Sequence, residues 1–256
     1  MLPTTLFTGI HHIALDSVGS TNDYAKELNA TEKQPDGTLI TATAQHSGRG
    51  QAGSQWQSEV KKNLIASYIF YPTFLPADRQ FALSMVASLA VKEIAEEMTG
   101  QEICIKWPND IYYRHNKVAG ILIENTISGS HLSSSIIGIG LNVNQTKFDS
   151  VLANPSSLKL ISGQEFSINT IINRLSSYME KYYLQLRKLH YHFLEKGYTE
   201  SLYLYNQTAT FLRDGQAFKG QIVGVTREGK LIIESNGKEL KFGMKELSYV
   251  IGSNNY

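Results

Sequence analysis

Cysteine is almost absent from this chain, because Cys104 is the only one among 256 residues. A single thiol cannot form an internal disulfide, which excludes the small extracellular domains that disulfides hold together. Residues 1–16 also lack the basic start and the apolar stretch of a secretory signal peptide. These absences predict a protein of the reducing cytoplasm.

Net charge and long apolar runs are lacking as well. The 24 basic and 23 acidic residues leave a formal net charge of +1, which predicts no broad basic surface for nucleic acid or for an anionic membrane. The longest apolar runs, 65–71 and 136–143, have the length of strands and fall short of the roughly 18 residues that a membrane span needs. We therefore expect neither nucleic acid nor a membrane among its partners.

Residue patterns up to about residue 205 predict alternating strands and helices. Ser20 or Thr21 caps a first helix, Pro76 opens a second, and Gly100 ends that second helix. A helical repeat of apolar residues predicts one long helix that starts near Ile168 and ends at Gly197. Predicted strands cover 10–15, 38–43, 64–71, 103–105, 118–126 and 133–143, and predicted helices cover 22–29, 76–100 and 168–197.

The C-terminal part of the chain has a different pattern. From residue 208 onward short β-type runs alternate with turns at Asp214-Gly215, Glu228-Gly229 and Asn236-Gly237. We predict a ligand-binding domain over residues 1–205 and a small SH3-like β-barrel over residues 206–256. The fold class is α/β, of the α+β type, with a mixed sheet and helices on one side of it.

Residues 106–110, Lys-Trp-Pro-Asn-Asp, concentrate charge next to a predicted buried strand, and Lys117 follows seven residues later. Proline breaks a helix and is unsuited to a central strand, so this segment, here called the lysine corner, should be a rigid turn. Two lysines and a carboxylate in close proximity suit an anionic phosphate and a proton transfer. Taken alone, the segment is better explained as a solvated hairpin.

Residues 45–54 form a second polar segment, here called the glycine loop. Its glycines allow the backbone to fold around an anion, and Arg49 supplies a permanent charge. The loop is not a Walker loop, because no Gly-Lys-Ser/Thr follows it. By itself it is equally compatible with an anion site and with a surface loop.

Two further segments are ambiguous when taken singly. Residues 19–22, Gly-Ser-Thr-Asn, form a helix cap whose hydroxyl and amide groups can also bind a small polar ligand. Gly138 and Gly140 lie in a predicted strand and would admit a ligand or another backbone at close range. Asn142 carries a donor and an acceptor that match an adenine edge, although a strand kink with a surface amide explains it too.

Together, in this order and spacing, the four segments resemble biotin protein ligases, the biotin–[acetyl-CoA-carboxylase] ligases. The resemblance extends from about residue 10 to the C-terminus. It implies a class II synthetase-like mixed sheet followed by an SH3-like β-barrel. It also implies that the chain makes biotinyl-5′-AMP from biotin and Mg²⁺-ATP, and then transfers biotin to one lysine of a biotin carboxyl carrier domain of a carboxylase.

The resemblance also implies roles for particular residues. Lys117 would bridge the biotin carboxylate and the α-phosphate, and Arg49 would hold the phosphate from the glycine loop. Asp110 would orient or deprotonate the acceptor amine, although a structural turn cap is a close alternative. Mg²⁺ would arrive with ATP, and no protein ligands are assigned to it. The implied biotin-binding residues are Ser20, Thr21, Asn22, Gln45, Gly48, Arg49, Gly50, Gln51, Trp56, Lys117, Gly120, Gly138 and Gly140, and the implied ATP-binding residues are Arg49, Trp107, Asn109, Lys117 and Asn142.

Two departures from the family pattern carry expectations. Many relatives have a basic residue two positions after the arginine of the glycine loop, where this chain has Gln51, so we expect weaker retention of biotinyl-AMP. About nine residues precede the first predicted strand, which leaves no room for the DNA-binding domain of some relatives. We therefore expect a monofunctional enzyme without specific operator binding. The sequence leaves the oligomeric state open between a monomer and a homodimer.

Three alternative functions share some of these features. A lipoate-protein ligase also makes an acyl-adenylate, but the lysine corner and the C-terminal β segment argue against it. An octanoyl transferase needs a catalytic cysteine, and the apolar surroundings of Cys104 favour a core residue. A non-catalytic biotin- or nucleotide-binding module would not need both Arg49 and Lys117 at one phosphate. ATP turnover distinguishes the module from the enzymes.

Overall fold

The structure, a computed structural model, describes residues 5–250 except for the side chain of residue 52. The ends of the two predicted domains, residues 1–4 and 251–256, lie outside this part. Within it, no helix is long and apolar enough to cross a membrane. The strands are β1 (His12–Val18), β2 (Thr38–Gln45), β3 (Leu64–Phe70), β4 (Cys104–Lys106), β5 (Asp110–Tyr113), β6 (Asn116–Ser128), β7 (His131–Leu141), β8 (Thr208–Arg213), β9 (Gln216–Val225), β10 (Leu231–Ser235), β11 (Lys238–Phe242) and β12 (Ser248–Tyr249), and the α-helices are α1 (Thr21–Thr31), α2 (Phe81–Thr99), α3 (Leu158–Ser162), α4 (Ile168–Arg187) and α5 (Tyr191–Glu200).

A seven-stranded mixed sheet carries the first part of the chain, with the strand order β1-β2-β3-β7-β6-β5-β4. The pair β1 and β2 is parallel, whereas the other neighbours are antiparallel. Successive residues of a strand face opposite sides of a sheet. On β3, Tyr68 therefore packs into the large core with α2 and α4, while Ile69 packs on the other face. The predicted mixed sheet is confirmed.

Helices cover both faces of this sheet, so the prediction that they lie on one side was wrong. On the second face α1 buries Ala25 against Ile40, Ile69 and Ile136. Ala25 is the only apolar residue of α1 that is fully buried. The spacing of apolar residues along α1 therefore does not show which face of the sheet the helix covers. This placement brings the start of α1 next to β3, β6 and β7.

Helix boundaries agree with the predicted caps at two positions. Ser20 caps α1, accepting a hydrogen bond from the backbone N–H of Asp23, and Gly100 ends α2 in the left-handed conformation at φ +64°. The second helix begins at Phe81 instead of Pro76, because Pro76 precedes a separate 3₁₀ turn over Ala77–Arg79.

The prediction of one helix from residue 168 to residue 197 was wrong. The chain forms α4 and α5, separated at Leu189, which has φ +61°, and Gly197 lies inside α5. Both helices bury apolar residues against the same core, including Leu186 and Leu194. The apolar repeat therefore continues across the break, which the sequence pattern does not reveal.

The C-terminal strands form a separate five-stranded antiparallel sheet with the order β11-β10-β9-β8-β12. The predicted turns are present, with positive φ at Gly215, Gly229 and Gly237. Among the described strands β11 and β12 lie at opposite ends of the sheet order, and the predicted SH3-like closure stays a prediction, as does the domain boundary at residue 205. One turn of this sheet contacts the lysine corner, because the indole N–H of Trp107 donates to the carbonyl of Gly229 at 2.9 Å.

Candidate active site

A cleft of about 560 Å³ opens where the start of α1, the glycine loop, β3, β6 and β7 meet. Of the thirteen residues predicted to bind biotin, all but Gly48 line it. Its lining consists of Ser20, Thr21, Asn22, Gln45, Arg49, Gly50, Gln51, Ser54, Gln55, Trp56, Ile65, Ala66, Lys117, Gly120, Ile121, Leu122, Gly138, Ile139 and Gly140.

Polar side chains from the start of α1, from Gln45 on β2 and from Ser67 on β3 come together at the cleft. The backbone N–H of Thr21 donates to Gln45 Oε1 at 2.9 Å. The hydroxyl of Ser67 lies 2.8 Å from Thr21 Oγ1 and 2.6 Å from Asn22 Oδ1, and it can donate its one proton to either. We call Ser20, Thr21, Asn22, Gln45 and Ser67 the polar cluster. Sequence reasoning missed Ser67, although a lone serine in a buried apolar strand was a signal.

Gly138 and Gly140 make room for side chains from other parts of the protein, and their contact with a ligand stays a prediction. A Cβ atom at Gly138 would overlap the side-chain amide of Asn22, and one at Gly140 would overlap the indole of Trp56. At Gly120 a Cβ atom would approach the Trp56 ring to 3.2 Å. These glycines therefore seat the two side chains that shape the cleft floor.

In the glycine loop, Arg49 extends across the mouth of the cleft towards two carboxylates. Its Nη2 atom lies 2.6 Å from Asp23 Oδ1 and 2.7 Å from Glu124 Oε2. Neither acidic residue was predicted to be part of the site. Gly48 does not line the cleft, and a Cβ atom there would overlap the carbonyl oxygen of Trp56 and the side-chain nitrogen of Gln45. Its role is therefore to let the loop pack closely on itself.

The lysine corner and Lys117 meet in an ion pair. Lys117 Nζ lies 2.6 Å from Asp110 Oδ1. Asp110 is the first residue of β5, directly after the turn of the lysine corner and opposite Lys106 on β4 and Gly120 on β6, and its role stays a prediction. Burial lowers the pKa of Lys106, the charge of Asp110 opposes this shift, and the charge of Lys117 adds to it.

A second cavity of about 810 Å³ lies beside this ion pair. Asp110, Lys106, Trp107 and Gln51 contribute to its wall, and the rest includes residues of the C-terminal segment between positions 244 and 249. Lys117 faces the first cleft, Asp110 faces the second cavity, and Gln51 lines both. The C-terminal segment therefore takes part in forming the surroundings of the lysine corner.

Three residues predicted to bind ATP lie outside the first cleft. Trp107 lines the second cavity. Asn109 donates from its side chain to the carbonyl of Ile121 at 2.6 Å. Asn142 donates through Nδ2 to the carbonyl of Ser156 at 2.9 Å, while its buried Oδ1 has no partner among the described residues. The contacts of these residues with a nucleotide stay predictions.

The model of the Biotin/lipoate A/B protein ligase family matches residues 14–142 of the chain. The chain belongs to this family. The matched range contains the glycine loop, the lysine corner and Lys117, and therefore both cations of the cleft.

Individual family members resemble the chain over most of its length. The Bifunctional ligase/repressor BirA of Bacillus subtilis is 32% identical over 238 residues, which is 89% of this chain and 70% of the relative. The Biotin--[acetyl-CoA-carboxylase] ligase of Mycobacterium tuberculosis is 27% identical over 223 residues, or 86% of this chain and 82% of the relative. The biotin protein ligase from Aquifex aeolicus in complex with biotin and ATP superposes with a TM-score of 0.79 at 25% identity, covering 93% of this chain and 98% of that one.

Cys104 lacks the low thiol pKa that a nucleophilic cysteine needs. Burial, with a smaller contribution from the charge of Glu102, raises the pKa of the thiol from 9.0 to about 12. Its Sγ atom donates to the carbonyl of Tyr112 at 3.4 Å. A catalytic cysteine needs a thiolate near neutral pH, so this environment disfavours octanoyl transfer.

Proposed function

We infer that the chain is an ATP-dependent biotin protein ligase. It forms biotinyl-5′-AMP from biotin and ATP, and then transfers biotin to a specific lysine of a biotin carboxyl carrier domain. One observation carries this conclusion: the same cleft is lined by the polar residues Ser20, Thr21, Asn22 and Gln45 and by the cations Lys117 and Arg49. The named relatives include a Biotin--[acetyl-CoA-carboxylase] ligase and a ligase in complex with biotin and ATP.

The polar cluster suits the ureido head group of biotin. A ureido ring presents two N–H donors and one carbonyl acceptor, and the hydroxyl and amide groups of Ser20, Thr21, Asn22 and Gln45 can complement both kinds. The indole of Trp56 and the apolar residues Ile65 and Ile139 border the rest of the cleft. They provide an apolar wall for the thiophene ring and the aliphatic tail.

In the first half-reaction, a carboxylate oxygen of biotin attacks the α-phosphorus of ATP. A new O–P bond forms as the bond to pyrophosphate breaks. Two anions approach each other, so the barrier depends on cations placed at the reacting oxygens. Lys117 supplies such a charge from β6 and Arg49 from the glycine loop. Mg²⁺ enters with ATP as the substrate complex and neutralises charge on the departing pyrophosphate.

In the second half-reaction, the acceptor lysine attacks the acyl carbon of biotinyl-AMP, and AMP leaves. The attacking amine must lose a proton, for which Asp110 is the closest carboxylate to Lys117 at 2.6 Å. Because Asp110 faces the second cavity, an acceptor lysine has a path to the reaction that does not pass through the biotin cleft. On the nucleotide side, Asn142 binds the adenine edge, and Trp107 and Asn109 line the site.

Pyrophosphate exchange tests the proposed function. Wild type should exchange labelled pyrophosphate into ATP with biotin and not with lipoate, and Lys117→Ala should abolish exchange. Lys181→Ala, which removes a surface lysine paired with Glu93 on α2, is the matched control and should exchange normally. Exchange with lipoate alone would assign the chain to the lipoate-ligase branch, and exchange with neither acid would favour a binding module.

The acceptor is a carrier domain of a biotin-dependent carboxylase, and labelling of such a domain with biotin by the purified protein tests this point. Sedimentation equilibrium distinguishes a monomer from a homodimer. A cytoplasmic location follows from the chemistry, because ATP and carboxylases are available there.

A further inference from the structure

Glu124 contacts two residues of the cleft, yet the proposed mechanism does not use it. One oxygen, Oε2, accepts a hydrogen bond from Asn22 Nδ2 at 3.0 Å and another from Arg49 Nη2 at 2.7 Å. Asn22 belongs to the polar cluster, whereas Arg49 belongs to the glycine loop. Oε2 of Glu124 therefore links Asn22, which suits the head group of biotin, to Arg49, which suits an anion.

The contact with Glu124 helps to fix the orientation of the Asn22 amide. Asn22 Nδ2 also donates to the carbonyl of Leu122 at 3.3 Å, so both of its N–H groups are directed at β6. The amide oxygen then faces Ser67, whose hydroxyl lies 2.6 Å away. Asn22 is 3% exposed and rests against Gly138, which leaves the amide little freedom to turn over.

Arg49 is held by one end of its guanidinium group. Only Nη2 meets the carboxylates of Asp23 and Glu124, and within residues 5–250 neither Nε nor Nη1 has a hydrogen-bond partner. Three of the five N–H donors of the guanidinium therefore remain for a ligand. A glycine-rich loop loses much conformational entropy when it becomes ordered. Anchoring its arginine to β6 therefore reduces the entropy that is lost when an anion binds.

We propose that Glu124 is a positioning residue of the biotin site. Its carboxylate holds Arg49 of the glycine loop against the polar cluster, so that the rest of the guanidinium faces the carboxylate of biotin. This inference rests on the proposed function, because that function supplies the anion. Glu124 acts on the ligand only through Arg49 and Asn22, and its effect should depend on the charge of the ligand tail.

Glu124→Gln separates these effects, because glutamine keeps an acceptor oxygen for Asn22 but loses the charge that holds Arg49. Calorimetric titration with biotin and with its neutral carboxamide gives the two dissociation constants for each protein. We expect biotin binding to weaken about fivefold or more, as for a charge-assisted contact, and carboxamide binding to change less than about twofold. The carboxamide also reports on folding of the variant.

A double-mutant cycle identifies Arg49 as the route of this effect. In the Arg49→Ala background, Glu124→Gln should cause no further weakening of biotin binding. Glu234→Gln, an exposed substitution on β10, is the matched control and should leave both ligands unaffected.

Three results would overturn the inference: equal weakening for biotin and carboxamide, an undiminished effect in the Arg49→Ala background, or tighter biotin binding by Glu124→Gln. Failure of the wild-type protein to bind biotin would overturn the proposed function itself and is distinguishable from all three.

Discussion

Lys117 and Asp110 form an ion pair with 2.6 Å between Nζ and Oδ1, and the two side chains line different cavities. In the proposed function the pair separates the place where biotin is activated from the place where the acceptor amine arrives. The two half-reactions should therefore respond differently to substitution of its two members.

Asp110→Asn should impair transfer more than adenylation. Asparagine keeps the shape of the side chain but cannot take a proton from the acceptor amine, so transfer to a carrier domain should slow about 100-fold or more, within the usual range for loss of a general base. Pyrophosphate exchange should slow less than about tenfold.

Both rates can be measured on one preparation, with Asp78→Asn as the control because Asp78 pairs with Arg227 on the surface. An equal loss in both half-reactions would show that Asp110 serves only to hold Lys117.

Gln51→Arg should slow the escape of biotinyl-AMP. Gln51 lines both cavities, and an added positive charge there would attract the phosphate of the intermediate. Release can be followed by rapid filtration of preformed complex, and we expect a several-fold slower rate for Gln51→Arg. Gln51→Met, which is similar in size and uncharged, should behave like wild type. Equal release rates for the arginine variant and wild type would contradict the prediction.

Gly138→Ala should weaken biotin binding through Asn22. The new methyl group would overlap the Asn22 amide, and overpacking of this kind typically costs about 1–3 kcal/mol. We expect biotin binding to weaken at least about fivefold. Gly224→Ala, where a Cβ atom would lie 3.9 Å from the nearest atom of Thr199, is a control within a strand. Unchanged biotin affinity in Gly138→Ala would show that Asn22 does not contact the ligand.

Cys104 should react slowly with thiol reagents while the protein is folded. Burial raises its pKa from 9.0 to about 12, so at pH 8 the folded protein holds far less thiolate than the unfolded chain. The folded state binds this proton more tightly than the unfolded state. The protonated thiol therefore contributes to the stability of the folded state. This contribution is fully present below about pH 9 and is lost as the pH rises towards 12.

Reaction with a disulfide reagent, followed with and without denaturant, checks this prediction. Rapid reaction of the native protein would contradict it.

Sequence by itself predicted twelve of the residues that line the cleft. The lysine corner, the glycine loop, the cap at Ser20 and the Gly138-Gly140 strand carry local chemistry, and backbone restrictions at glycine, proline and helix caps act over a few residues. The mixed sheet and the C-terminal turns were also predictable, because alternation along strands and turn residues such as Asn236-Gly237 are local signals.

Tertiary structure alone decided how these segments meet. Long-range contacts place α1 on the second face of the sheet, bring Ser67 to Asn22, and link Asn22 through Glu124 to Arg49. The break at Leu189 is local, but the apolar repeat on either side of it conceals it. A local pattern reports burial and turn propensity. Which polar groups become partners depends on the strand order and register of the folded sheet, and a single-residue shift in register would point Glu124 to the opposite face.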